Sequence, residues 1–249
     1  MDWASLAGVL LALAGIVVGQ ALEGGKLSSL VQPAAFAIVV VGTIGAVLLQ
    51  TKFRTFVRGL RMLRLVFAPP PDTRAVLARE IRGWLQTARR DGLLALERHM
   101  VSSKDKFNTK GLRLIVDGIA PDKLRQLLDT EITAYETAER QAVRVWESAA
   151  GYSPTIGILG AVLGLVHVME NLTDPSKLGA GIAVAFVSTI YGVGLANLLF
   201  YPIANKLKTI VTQEVHQQEI AAAVFYDIAT GDHSRVIDER IATLMQEQH

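Results

Sequence analysis

Cysteine is absent from all 249 residues, which excludes disulfide frameworks, thiolate metal sites and thiol nucleophiles. Aromatic residues make up only 6%, and four long stretches carry no Asp, Glu, Lys or Arg: 3–22, 27–51, 148–169 and 178–205, of 20, 25, 22 and 28 residues. Each is long enough to cross a hydrocarbon core of about 30 Å as a helix. Such runs, in a chain that is 51% hydrophobic with a mean hydropathy of +0.34, exclude an ordinary soluble enzyme and a disordered chain. The histidines (His99, His167, His216, His233 and His249) are scattered, and no nucleophile elbow, phosphate loop or metal-ligand spacing is present. The chain reads as a non-enzyme without a cofactor.

The charges that are present set the expected topology. Of 25 Lys and Arg, 19 fall between residues 51 and 148, and only Lys26 and Lys177 lie in the two short connections between apolar runs. Lys52, Arg54, Arg58, Arg61 and Arg64 crowd directly behind the second run, where the positive-inside bias has most force. The first run has Asp2 and no basic residue ahead of it and is long for a signal sequence, so it reads as a retained helix. The expected fold is all-α: a four-span integral membrane protein, both termini cytoplasmic, with a helical cytoplasmic domain formed by the loop between spans two and three and the C-terminal tail. Its parts are a transmembrane hairpin at 1–51, a cytoplasmic helical domain at 52–147, a second hairpin at 148–205 and a cytoplasmic tail at 206–249. The middle segment has a net charge of +7 and the tail after 203 one of −3, which favours packing of tail on loop. Sparse aromatics and the lack of any nucleic-acid motif argue against a nucleic-acid partner for the basic excess.

Residues 53–67 alternate Phe53, Phe56, Val57, Leu60, Leu63 and Leu65 with arginines and predict a basic amphipathic helix along the inner membrane surface. Pro69, Pro70 and Pro71 end it, and Asp72 or Thr73 can cap a helix over 74–90. Shorter helical runs follow at 93–101 and 105–118. From Pro121 a pattern free of glycine and further proline reaches Gly151 and joins the third span, while the fourth span continues past Pro202 to Val224. Two continuous helices of about 40 to 50 residues, some 60 to 75 Å at 1.5 Å per residue, are expected to carry movement between membrane and cytoplasm.

Gly15–Gly19 and Gly160–Gly164 are GxxxG steps suited to close packing, within the chain or between subunits. No carboxylate lies inside any apolar run, whereas an ion path ordinarily needs one at membrane depth. If ions pass, another chain must supply that group. This chain offers a polar lining: Ser153, Thr155, Ser188, Thr189, Tyr191 and Asn197, with Pro154 and Pro202 near the inner ends of the last two spans.

The opening LLALAGIVVGQALEGGKLSSLVQPAAFAIVVVGTIGAVLLQT, the cytoplasmic ARRDGLLALE, the third-span YSPTIGILGAVLGLVHVMENLTDP and the fourth-span AFVSTIYGVGLANLLFYPIANKLK resemble the A-subunits of bacterial flagellar motor stators, the MotA/PomA/MotC family. That family is distantly related to the TolQ and ExbB energisers. The likeness covers nearly the whole chain except about the last 20 residues. It implies an inner-membrane homo-oligomer, a ring of five chains, around two single-span B-subunits (MotB/PomB/MotD-like) that supply the ion-carrying aspartate. It further implies that Arg89, Arg90 and Glu97 engage a FliG-like rotor switch-complex protein, and that Pro154 and Pro202 couple ion passage to movement. Thr189, Ala161 and Tyr191 would border the ion pathway. Sodium-driven relatives place a threonine where this chain has Ala161, and a missing hydroxyl removes one oxygen ligand from sodium, so the translocated ion is expected to be H+ rather than Na+. The rival readings are a TolQ- or ExbB-like energiser and a non-conducting membrane scaffold.

Overall fold

Long apolar runs in a medium without water must satisfy their backbone groups internally, and here they do so as helices. The computed structural model describes residues 3–103, 105–231 and 239–242, and among these there is no strand. Among the described residues the α-helices in order are α1 Trp3–Leu22, α2 Pro33–Gln50, α3 Phe53–Phe67, α4 Arg74–Asp91, α5 Glu97–Ser102, α6 Lys106–Val116, α7 Pro121–Glu170, α8 Pro175–Leu195 and α9 Tyr201–Thr230, with 239–242 helical as well. Three helical stretches, Leu27–Gln50, Pro121–Glu170 and Pro175–Thr230, are long and apolar enough to cross a membrane, and Ala7–Leu22 is a shorter apolar helix. Leu10, Leu11, Leu49, Leu165 and Phe186 are exposed, an arrangement that lipid favours and water does not.

The chain divides into two compact units, one of Met1–Pro69 and Arg140–Thr209, the other of Pro70–Glu139 and Ile210–His249. In the first unit α2 packs along α8, burying Ala35, Val39, Thr43 and Val47, which recur every fourth residue and so share one helix face. Val47 meets Val145 and Ala149 of α7, with Phe56 and Phe200 against them. Helix α3 meets α7 at Gly59, where an added Cβ would lie 2.7 Å from the Ala142 carbonyl oxygen, and the buried Trp146 indole donates to the Gly59 carbonyl at 2.9 Å; Met62 and Val66 are buried on the same side of α3.

α7 contains Pro154 without a break. The join between α8 and α9 differs from a plain helix: Ala196–Phe200 is a π-helical segment placed directly ahead of Pro202. Proline lacks the N–H that would bond four residues back and its ring crowds that carbonyl, here Leu198; the wider π turn relieves the conflict.

In the second unit Trp84 stacks on Phe225 with ring centroids 5.2 Å apart, and Ile81, Leu96, Leu112, Leu124 and Leu128 are fully buried. Gly111 admits the Phe225 ring, whose nearest atom would lie 2.2 Å from any added Cβ. Loop and tail therefore do pack together, but chiefly by apolar burial rather than through the charge difference. Polar ties supplement it: the Thr73 hydroxyl donates to Gln217 Oε1 at 2.8 Å, and within the first unit Lys208 pairs with Glu147 at 3.7 Å. Thr73 is the residue ahead of α4 yet caps nothing with its side chain; Asp72 instead accepts from the Arg74 amide at 3.0 Å and from its guanidinium. That pairing holds the Asp72 carboxyl down at about 2, with the Arg74 side chain as the main cause and its amide next.

Candidate functional site

The membrane part is organised by the crossing of α7 and α8. A Cβ on Gly157 would sit 2.8 Å from the Ser188 carbonyl oxygen, one on Gly164 would sit 2.7 Å from the Ala185 nitrogen, and one on Gly192 would sit 2.6 Å from the Ser153 carbonyl oxygen. The Gly160–Gly164 step is thus used within the chain, with backbone against backbone at Gly157, Gly164 and Gly192 and the Ser188 side chain against Gly160. Gly8, Gly15 and Gly19 of α1 have nothing within 4 Å of an added Cβ. The partner glycine Gly192 lies outside any GxxxG step, so pattern reading passes over it.

Polar groups stitch this crossing. Ser153, fully buried, donates to the Gly192 carbonyl at 3.0 Å, and Pro154 packs its Cα against Gly192. Pro154 has no N–H for the Ala150 carbonyl, so a local loss in α7 sits beside an added bond to α8. Ala161 is half-buried, one residue beyond the Gly160–Ser188 contact on α7, and Thr189 is half-buried one residue beyond it on α8. The Thr189 hydroxyl donates within its own helix to the Ala185 carbonyl at 3.4 Å, a weak bond that leaves it available. Tyr191 is differently employed: its hydroxyl donates to the Leu30 carbonyl at 2.5 Å and accepts from the Gln32 amide at 3.4 Å, while Phe36 meets its ring edge-on. It ties α8 to the entrance of α2. Pro202 is exposed, at the start of α9 after the π segment.

Two hydroxyls in this bundle, Ser188 Oγ and Thr43 Oγ1, are buried with no hydrogen-bond partner. Each is a vacant polar position that a small polar species would stabilise. Outside the spans, Asp174 caps α8 and its carboxyl is held below the usual carboxylate range by the hydroxyl of Ser176 and by Lys177.

In the second unit, Arg89, Arg90 and Glu97 are exposed around the end of α4 and the start of α5. Gly92, with φ of +84°, turns the chain between them, a conformation that side-chain-bearing residues rarely adopt. Sequence reasoning missed what fixes that edge: Arg98 donates to Asp91 at 2.7 Å and to Thr87 at 3.0 Å, and Thr87 is 2.8 Å from His99 Nε2. Burial lowers the His99 pKa, and the Arg98 charge adds to the effect. The only sequence signal was the D-G pair, which marks the turn but not its partners. Elsewhere in this unit Glu80, Asp105 and Glu214 line one cavity. Burial, and secondarily the Asp105 charge, raise the pKa values of Glu80 and Glu214.

Helices that are apolar and glycine-packed, with no strand among the described residues, are those of an integral membrane protein. A family profile for the MotA/TolQ/ExbB proton channel family matches residues 99–220. Motility protein A of Bacillus subtilis is 34% identical over 242 residues, spanning 97% of this chain and 90% of that protein. Among solved structures, that of C. jejuni MotAB superposes with a TM-score of 0.92 at 26% identity, covering 100% of this chain and 98% of that one. The flagellar MotAB stator complex from Bacillus subtilis gives 0.86 at 31%, covering 98% and 97%. This chain belongs to the MotA/TolQ/ExbB proton channel family, on its flagellar-motility branch.

Proposed function

We infer that this chain is the A-subunit of an ion-driven flagellar motor stator, which with a single-span B-subunit couples ion flow across the inner membrane to torque on the rotor. The observation that carries this reading is the near-full-length likeness to motility protein A in a chain whose spans lack the carboxylate an ion path requires. The B-subunit supplies that group. On this reading α1, α2, the apolar part of α7, and α8 are the four spans, both termini are cytoplasmic, and five copies encircle the B-pair.

Ion entry neutralises the partner's aspartate, releases it from the Thr189 region and lets the ring advance. A membrane potential of about 150 mV supplies roughly 3.5 kcal/mol per elementary charge, a few times thermal energy and enough to bias a step between near-equal states. Pro154 at the Gly192 crossing and Pro202 after the π segment act as the hinges, since both sit where regular helix bonding is already interrupted. Arg89, Arg90 and Glu97 are the exposed charges offered to the rotor, and long-range attraction suits repeated engagement. The coupling ion is the proton, because Ala161 brings no oxygen to a desolvated sodium.

The test is swimming of a flagellated, stator-deleted host that expresses this chain with its single-span partner, in medium where potassium replaces sodium. Swimming without sodium is expected. Swimming that returns only with sodium would keep the stator and overturn the ion; immobility in both media, with both proteins present in the membrane, would overturn the stator.

A further inference from the structure

Helix α3 starts at Phe53, just past the end of α2 at Gln50, so it leaves the bilayer at the level where that span ends. One of its faces is committed: Gly59, Met62 and Val66 are buried, and the Trp146 bond to the Gly59 carbonyl pins α3 to α7 at that residue. At about 100° per residue the rest of the circumference divides in two. Phe53, Val57 and Leu60 fall on one side and Arg54, Arg58 and Arg61 on the other, with Arg64 between Phe53 and Val57 on the apolar side and Leu65 between Arg54 and Arg58 on the basic one. Phe53 is 71% exposed, Leu60 is 45% exposed, and the four arginines are exposed as well. Between Glu23 and Asp72 the sequence holds no acidic residue.

We propose that this exposed arc of α3 is a docking surface for the anionic phospholipid headgroups of the adjoining leaflet. Phe53 and Leu60 enter the boundary between headgroup and acyl chain, and Arg54, Arg61 and Arg64 bind the phosphates. An apolar strip beside a cationic strip is what a helix lying in that boundary presents. The guanidinium fork matches phosphate oxygens in pairs, which a lysine cannot do. In a ring a neighbouring copy would meet this arc with a different face and would have to bring acidic groups to it, whereas an anionic leaflet presents phosphates at this level, so charge complementarity selects the lipid. Because the opposite face of α3 is fixed to α7 near Trp146, two turns before Pro154, bound headgroups hold that part of α7 at a defined depth. The inference rests on α2 being a span, not on the rotor role.

The test uses the full-length chain co-expressed with its B-subunit and purified in mixed micelles of phosphatidylglycerol and phosphatidylcholine. Native mass spectrometry is expected to find phosphatidylglycerol retained about tenfold over phosphatidylcholine, with R54Q/R61Q losing most of that preference and R54K/R61K keeping part of it. As a second readout, a bimane on L60C, unique in a cysteine-free chain, is expected to shift to shorter wavelength when about a third of a phosphatidylcholine vesicle is replaced by phosphatidylglycerol. Equal retention of the two lipids, a preference unmoved by R54Q/R61Q, or cross-linking of position 60 to another copy would overturn the proposal. None of these outcomes bears on swimming, so the motor reading stands or falls separately.

Discussion

Gly192 shows how little room a single residue has at the α7–α8 crossing, because an added Cβ would meet backbone atoms of Ser153, Gly157 and Pro154, none of which can rotate away. Gly192→Ala is expected to cost about 1–3 kcal/mol by forcing the helices apart. Gly15→Ala, at a position open for 4 Å, should be near neutral. Thermal unfolding of the detergent-solubilised complex compares the two, and equal melting temperatures would refute the packing account. At Glu214 the expected effect depends on pH. Burial and Asp105 raise its folded pKa above the unfolded value, so the stability it contributes is fully present below the unfolded pKa and is lost as pH rises through the folded one. Glu214→Gln, which mimics the protonated form, should therefore stabilise the chain at neutral pH, with the gain shrinking towards pH 4; a constant gain across that range would refute it. Asp72 runs the other way: with its pKa near 2, its contribution is present above the unfolded value and fades as pH falls towards 2.

Among elements, those defined by periodicity or by proline were legible. Pro121 opens α7 as its position in the sequence implied, and the two long continuous helices are there, α7 with 50 residues and Pro175–Thr230 with 56. The runs at 93–101 and 105–118 resolve into the turn Leu93–Leu96, α5 and α6, the last capped by Asp105. What escaped were contacts between residues distant in sequence: Ser153 with Gly192, Tyr191 with Leu30, and Trp146 with Gly59. Composition shows that a serine or tyrosine in a dry bundle gains from a partner, yet not which carbonyl it finds. The π segment escaped for a related reason, since a proline signals a conflict but not how the helix resolves it. An i to i+5 loop encloses one residue more than an α turn, so Ala196–Phe200 holds a spare residue. Deletion of Leu199 together with Pro202→Ala should give an unbroken helix that still buries Ile203, Ala204 and Leu207, whereas a deletion at Ile190 would rotate that face by about 100°. If the hinge reading holds, the spliced variant assembles normally and drives little or no swimming; full swimming speed would remove the hinge.

For the molecule as a whole, the charge ledger makes orientation testable in a chain with no cysteine to confuse it. In intact cells K177C is expected to react with a membrane-impermeant maleimide and R89C to be protected, and the reverse pattern would invert the topology. Stability of the second unit depends on a pair formed near the end of the chain: Asp227 is 3% exposed and accepts from Arg240 Nε at 2.6 Å. Arg240→Ala would leave that carboxylate buried without its cation, at an expected cost of about 2–3 kcal/mol, less than for a fully buried pair because Arg240 is 37% exposed. Chemical unfolding followed through Trp84 fluorescence would measure it. The chain visits its units in alternation, 1–69, 70–139, 140–209 and 210–249. Synthesis follows the same order. When a ribosome has finished residues 70–139, the ring that covers Trp84 has not been made, and it is made only after the entire second half of the first unit. The second unit is thus left waiting on the end of α9, and a nascent chain cut short before Phe225 would display an uncovered tryptophan to whatever quality control inspects it.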